Sequence, residues 1–527
     1  MELSSIAKID KAARRGRNDS LRLGVGLVFV VGIMLWTSAT QGLTGQNAVL
    51  MVAAAMIGGY MAMNIGANDV ANNVGPAVGA KAISMVGAIM IAAVFEAAGA
   101  LIAGGDVVAT IQKGIIRADA IQGTDRFVWL MTAALLAAAL WLNIATALGA
   151  PVSTTHSIIG AVLGAGLAAG GTAAANWGQL GEIAASWVVS PLLGGGIAAG
   201  FLYWIKRGIT WQGDMVGAAR VQVPRLIALM AFAFTTYLVL KGLSRVWKIG
   251  FGPALAIGVA VGLLAWALAR AWVGARAATL FNTKDSVNTL FTLPLVCSAA
   301  LLSFAHGAND VANAVGPLAA VAEALKSGAV GARAAIPPWV LVIGALGISL
   351  GLLLYGPRLI RKVGSEITEL DQMRAFCIAM SAAVTVIVAS QLGLPVSSTH
   401  IAVGGVFGVG FLREWLKRRQ AGDLQTIRMH HMGEDHEVVE HFLARFEAAT
   451  LESKREMLRE LKRQAAARSG PPMLSRWERK RLKKVYRQQL VKRSELLKIA
   501  AAWVVTVPAT ALLAAVLYFA IFGLVNA

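Results

Sequence analysis

GANDVANNVGP, from Gly66 to Pro76, returns as GANDVANAVGP, from Gly307 to Pro317, and the copies differ only at Asn73 against Ala314. Each copy is embedded in a long apolar stretch, and each sets an aspartate, Asp69 or Asp310, beside an asparagine, Asn68 or Asn309. A charged side chain deep in hydrocarbon costs about 3 kcal/mol or more unless protein, ions or water compensate it. A chain that repeats such a phrase has a use for it.

The composition around the two copies decides the class. Of 527 residues, 57% are apolar and only 14% charged. Mostly apolar windows long enough to cross a bilayer as helices occur at 23–40, 49–66, 84–103, 127–149, 183–205 and 226–243. Others follow at 251–273, 289–305, 338–356, 374–392 and 499–525. Barrel strands would be shorter and would alternate in polarity, and nothing here alternates. The expected fold is an all-α polytopic membrane protein of about 12 membrane elements.

Cys297 and Cys377 lie far apart in apolar segments, which excludes a disulfide framework and predicts two small core residues. Lys8, Lys11, Arg14, Arg15, Arg17 and Arg22 precede the first apolar run, which predicts a retained anchor with a cytoplasmic N-terminus. The formal charge of +20 does not imply nucleic acid, because residues 413–498 hold 22 of the 48 Lys and Arg. That segment is a hydrophilic insert between membrane elements, and its basicity suits a cytoplasmic face beside anionic lipid.

The repeated phrase has company. GAPVSTTH (Gly149–His156) is echoed by GLPVSSTH (Gly393–His400), and WVVSP (Trp187–Pro191) loosely by WVVTVP (Trp503–Pro508). The order of parts predicts a basic N-terminus with an extra anchor (1–48), a first repeat (49–205) and a linker with two transmembrane helices (206–288). A second repeat begins at 289–412, is interrupted by the helical insert (413–498) and is completed by a last helix (499–527). Duplication with polar, Gly- and Pro-interrupted segments at matching places is the mark of a secondary transporter's central site. Broken helices survive at membrane depth only when buried in protein or lining a cavity.

Ser153, Thr154 and Thr155, like Ser397, Ser398 and Thr399, follow a proline and precede a glycine-rich apolar run. If each triplet opens a half-helix, hydroxyls and free backbone N–H groups converge on one spot, which suits phosphate or sulfate. Alternatively the hydroxyls cap helices. Asp69 and Asp310 beside a bound anion need cations between them, and with Asn68 and Asn309 they offer hard oxygen ligands for Na⁺. Protonating the aspartates would serve equally, which keeps H⁺ coupling open.

Glu96 is a third acid within an apolar run. Alignment on the following glycines and leucines gives it Gly347 as counterpart, and it serves either a second cation or helix packing. His156 and His400 either bond to the anion or pack against a neighbouring helix, packing being the expectation, and Asn72 and Asn313 are matched one turn after the aspartates. In the insert, the histidines of MHHMGEDHEVVEH (Met429–His441) are too irregularly spaced for a metal site. Residues 435–467 predict a helical hairpin with Val438, Val439, Phe442, Leu443, Phe446, Leu458 and Leu461 as its apolar positions.

The paired GANDVAN and G-x-PVS-[ST]-TH motifs, the FE-x-x-G segment around Glu96 and QKGII (Gln112–Ile116) resemble the PiT family of inorganic phosphate transporters, from about residue 49 onward. The GANDVAN form resembles its sodium-coupled branch. The resemblance implies inverted repeats, a homodimer, and phosphate held by Asp69, Ser153, Thr154, Thr155, Asp310, Ser397, Ser398 and Thr399. Asn68 and Asn309 would help to hold Na⁺.

The sequence thus predicts a symporter importing inorganic phosphate across an inner (plasma) membrane, coupled to Na⁺ in preference to H⁺. It is expected to need no other cofactor, to act on no nucleic acid and to be no enzyme. The rival readings are a sulfate permease of the same fold and a membrane-anchored sensor that works through the insert.

Overall fold

The computed structural model describes all residues except 1–2, 149–151, 243–248, 331–335, 367–369, 419–428, 431–435, 450, 467–473, 476, 480–481, 483–492 and 527. Pro151, expected to open the first hydroxyl motif, lies outside them. Two compact units are present, Met1–Val406 with Ser494–Ala527, and Phe407–Arg493. Among the described residues no strand occurs, only an isolated bridge between Ile116 and Ala175.

In chain order the helices are α1 (Leu3–Thr40), α2 (Gly45–Asn68), α3 (Val70–Gly79), α4 (Met85–Ala103), α5 (Gly105–Lys113), α6 (Thr124–Ala147), α7 (Thr154–Gly170) and α8 (Trp177–Ile205). Then come α9 (Met215–Tyr237), α10 (Phe251–Ala277), α11 (Lys284–Asn288), α12 (Thr292–Asp310), α13 (Ala312–Ser327) and α14 (Pro338–Glu366). The last are α15 (Gln372–Gln391), α16 (Ser398–Arg418), α17 (His436–Ala448), α18 (Leu451–Ala466) and α19 (Arg493–Asn526). Among the described residues eleven stretches are long and apolar enough to cross a membrane, and α7 is a shorter apolar helix. The chain is a multi-pass membrane protein.

The expected helix breaks are narrower than the sequence suggests. Each is one residue wide, Asp69 between α2 and α3 and Val311 between α12 and α13, and both residues keep right-handed helical angles. Pro76 and Pro317 lie inside the following helices. Proline has no N–H to give the residue four before it, so the carbonyls of Asn72 and Asn313 lose their usual donor. Polar backbone is therefore freed where the repeated phrase stands.

Glycines seat the helices of the large unit against each other at matched places. A Cβ on Gly66 would overlap the carbonyl of Ile348, and one on Gly351 that of Met63, which locks α2 to α14. Likewise Gly307 faces the carbonyl of Glu96, and Gly99 that of Phe304, which locks α4 to α12. Without a hydrophobic force between helices in lipid, such close backbone approach is a main source of cohesion. The pairing equates Glu96 with Ile348 and so corrects the alignment with Gly347. A second reciprocal pair joins α7 to α19 and α8 to α16, where Gly160 meets the carbonyl of Val507 and Gly404 that of Pro191.

Cys377 is buried as expected, whereas Cys297 is exposed on the outside of α12. Within the small unit, Val439, Leu443, Phe446 and Leu461 join Leu474 and Leu482 in a core of their own, with Phe442 and Leu458 packed against it. The predicted hairpin thus forms, but Val438 faces outward. Residues 431–435 of the histidine-rich stretch lie outside the described residues.

Candidate functional site

The two repeated phrases, interrupted at Asp69 and Val311, meet the start of α7 and α16. Thr154 Oγ1 donates to Asp69 Oδ2 at 2.7 Å and stands 3.3 Å from Asp310 Oδ2. Thr399 Oγ1 donates to Asp69 Oδ1 at 2.9 Å. The crossing contacts are reciprocal: Asn72 donates to Thr399 at 2.9 Å, and Asn313 to Thr154 and Thr155 at 3.2 Å each. All these side chains are buried. Two carboxylates, three threonines and two amides drawn from both halves thus form one buried polar cluster.

The remaining hydroxyls behave differently. Ser153 Oγ accepts from the backbone N–H of His156 at 3.1 Å, and Ser397 Oγ from that of His400 at 3.3 Å. Both are N-caps of the half-helices, so the capping reading holds for these two. Thr155 donates to the carbonyl of Val396 at 3.0 Å. Ser398 is buried with its hydroxyl free of any partner. Among the described residues no hydrogen bond links Ser153, Ser397 or Ser398 to either aspartate.

Asn68 and Asn309 turn to a matched pair that the motifs did not flag, Thr146 and Ser390. Asn68 lies 2.9 Å from Thr146 Oγ1, and in the amide orientation that satisfies both ends it donates to Asp69 Oδ1 at 3.3 Å and to the Val152 carbonyl at 3.1 Å. Asn309 donates to Ser390 Oγ at 3.0 Å and to the Leu394 carbonyl at 3.2 Å. Thr146 and Ser390 share the spacing of the hydroxyl motifs, so the signal was present beyond the quoted phrases.

The most informative residue that sequence reading passed over is His306. Its Nδ1 lies 2.7 Å from Glu96 Oε2 and its Nε2 3.1 Å from Asp310 Oδ2, all fully buried. Asn73 donates to the other oxygen of Glu96 at 2.7 Å. A run of contacts therefore leads from Asn73 through Glu96 and His306 to Asp310.

His156 and His400 pack, as expected. Each stacks on a matched tryptophan, His156 on Trp187 at 3.6 Å and His400 on Trp503 at 3.5 Å between ring centres, and the two rings lie 4.4 Å apart.

The cluster also has cation chemistry. Ligand atoms of Asp69, His306 and Asp310 lie within 4.8 Å of one another. Asp310 Oδ1 and the amide oxygens of Asn309 and Asn313 are buried acceptors with no donor. Acceptor oxygens of this kind are satisfied inside proteins by water or by an ion, and carboxylate and amide oxygens are hard ligands.

The sequence profile described as "Phosphate transporter family" matches residues 65–514 of this chain. A Helicobacter pylori protein named "Putative phosphate permease" is 52% identical over 99% of both chains. The Arabidopsis thaliana "Inorganic phosphate transporter 2-1, chloroplastic" is 39% identical over 71% of this chain and 68% of its own. A solved structure titled "The sodium-dependent phosphate transporter" superposes with a TM-score of 0.72 at 32% identity, over 90% of this chain and 99% of that one.

Proposed function

The chain belongs to the phosphate transporter family, and from that premise we propose that it is a symporter that imports inorganic phosphate on a cation gradient, Na⁺ before H⁺. That it transports phosphate, and is no enzyme, follows from the family. The sulfate and sensor readings find no support in these comparisons.

The observation that carries the proposal is the meeting of Asp69, Thr154, Thr399 and Asp310 in one buried cluster. In this reading the threonine hydroxyls, now bonded to carboxylates, turn to the anion when it enters, with Ser398 as a further donor. Ser153, Thr155 and Ser397 shape the half-helices whose N-terminal N–H groups face the anion. Asp69 and Asp310 share Na⁺ with the oxygens of Asn309 and Asn313, while Asn68 holds Asp69 in place. The likeness to the protein titled as sodium-dependent supports Na⁺.

Phosphate rather than sulfate is the preferred anion in this reading because of the aspartates. Near neutral pH phosphate keeps at least one O–H, which a carboxylate accepts; sulfate has none and is repelled. We also place the protein in the plasma membrane with its N-terminus and insert in the cytoplasm, as an inverted-repeat homodimer.

One observation favours H⁺ instead: the imidazole of His306 bridges two carboxylates, Glu96 and Asp310. Uptake of labelled phosphate into proteoliposomes decides between them. A Na⁺ gradient at equal pH should drive accumulation; accumulation with a pH gradient alone, in the absence of Na⁺, would overturn the Na⁺ reading.

A further inference from the structure

A cavity of about 620 Å³ lies beside the cluster, and one of its walls is α1, the helix that precedes both repeats. Its inner end includes Ala67 and Thr146. Thr146 is bonded to Asn68, which in turn precedes Asp69, so the cavity stops one side chain short of the carboxylate. On α1 the lining residues are Leu23, Gly26, Leu27 and Val30, in the N-terminal half and at the middle of the span Asp19–Thr40. Opposite them, Asn143 and Tyr355 stand near the C-terminal ends of the spans Thr124–Ala147 and Pro338–Pro357. Tyr355 also interacts with Arg22 and Asp19, so this end of the cavity lies at the N-terminal start of the α1 span, and Thr146 lies at the end beside the cluster.

The helix α1 is seated firmly. Ile33 fills the space that a side chain on Gly59 would need, and Trp36 packs edge-on against Trp339 with ring centres 6.2 Å apart. Nearer the N-terminus the contact narrows to Gly26, where an added Cβ would stand 3.0 Å from the methyl end of Met63. The outer half of α1 is therefore fixed, and the inner half spans open space above Thr146. A cavity of this size, with Tyr60, Asn64, Asn143 and Thr146 among its polar groups, has the volume of an ordinary small-ligand site.

We infer that this cavity is the route between the cluster and the N-terminal face of the membrane, and that α1 is the wall that sets its width. The inference rests on the transport reading above. The lock at its inner end is the Asn68–Thr146 contact, and Gly26 is the narrow point of the wall.

The test uses the full chain in proteoliposomes of defined orientation, in a Cys297→Ser background that removes the exposed native thiol. With Asn143→Cys, a membrane-impermeant thiol reagent should react from the N-terminal face and several-fold more slowly from the other. Adding Gly26→Leu should slow that reaction several-fold, with or without phosphate present. Because Gly26→Leu could disturb packing, its thermal midpoint is measured too, and Val30→Phe, deeper on the same wall, provides a second obstruction. Equal labelling from both faces, or labelling unaffected by both obstructions, overturns the inference. The labelling does not depend on transport, so a chain that fails to accumulate phosphate would sink the symport reading and leave this result standing.

Discussion

Oε2 of Glu96 stands 2.7 Å from Nδ1 of His306, a contact between helices 210 residues apart in the chain. Neither residue has a like partner in the other half. Ile348 takes the place of Glu96, and Ile65 that of His306, while the donor to Glu96, Asn73, is replaced by Ala314. The three departures from matching thus meet in one set of contacts. They make the surroundings of Asp310 unlike those of Asp69.

Removing one partner of a buried charged pair commonly costs 3–5 kcal/mol, roughly, because the other is stranded. Glu96→Ile and His306→Ile import the residues found at the matched positions. Each alone should lower the thermal midpoint sharply. Together they should cost clearly less than the sum, with a coupling on the order of 1–3 kcal/mol. Additive effects in detergent unfolding would mean that the contact carries no energy.

Asp69→Asn and Asp310→Asn should each lower cation-driven phosphate uptake by about a hundredfold or more, as loss of a preorganised polar group does. In the intact protein, excess sulfate should fail to compete with labelled phosphate. A site built on one hydrogen bond rejects an analogue lacking it by roughly 10⁴-fold. Effective competition by sulfate would show that the aspartates do not read phosphate's proton.

Much of this site was legible because its parts come in matched phrases. Asp69, Thr154, Asp310 and Thr399 stand in motifs that announce themselves by repetition. His306 was not legible for the opposite reason: it is unmatched, and its partner Glu96 is remote in sequence. The position opposite Glu96 was misread by one residue, since glycines and leucines are too common in apolar helices to fix a register. The contacts of Gly99 and Gly351 with matched carbonyls fix it. Likewise a proline in an apolar run predicts a break, but not that the break spans a single residue.

Gly66→Ala and Gly307→Ala should each destabilise the protein by about 1–3 kcal/mol, the usual cost of overpacking. The obstructing atom is in both cases a backbone carbonyl, which cannot swing aside. Gly24→Ala, at a position on α1 where an added Cβ meets nothing within 4 Å, serves as the control. Thermal midpoints of Gly66→Ala and Gly307→Ala equal to that of the control would contradict the close seating of α2 on α14 and of α4 on α12.

The insert is expected to be dispensable for transport itself. Residues Phe407–Arg493 form a separate compact unit with its own apolar core, and none of its described residues joins the polar cluster. Replacing 420–490 with a short flexible linker should leave uptake per folded molecule within about twofold of the parent, since a unit with its own core can be removed without unmaking the core of the other. A loss of turnover in a well-folded variant would instead assign the insert a part in gating.

The glycine-on-carbonyl crossings divide the large unit mechanically. One group holds the pairs α2–α14 and α4–α12, whose helices lead into Asp69 and Asp310; the other holds the pairs α7–α19 and α8–α16, which carry Thr154 and Thr399. A carbonyl seated on a bare Cα leaves no clearance, so a paired helix cannot slide along its partner. Compliance is left to the seam between the groups, with α6 touching both α2 and α7, and α15 both α12 and α8. That seam is stitched by the threonine–carboxylate bonds of Asp69 and Asp310. Cargo that takes those hydroxyls for itself would unfasten the stitching as it arrives and restore it as it leaves, so loading would itself set how stiff the molecule is.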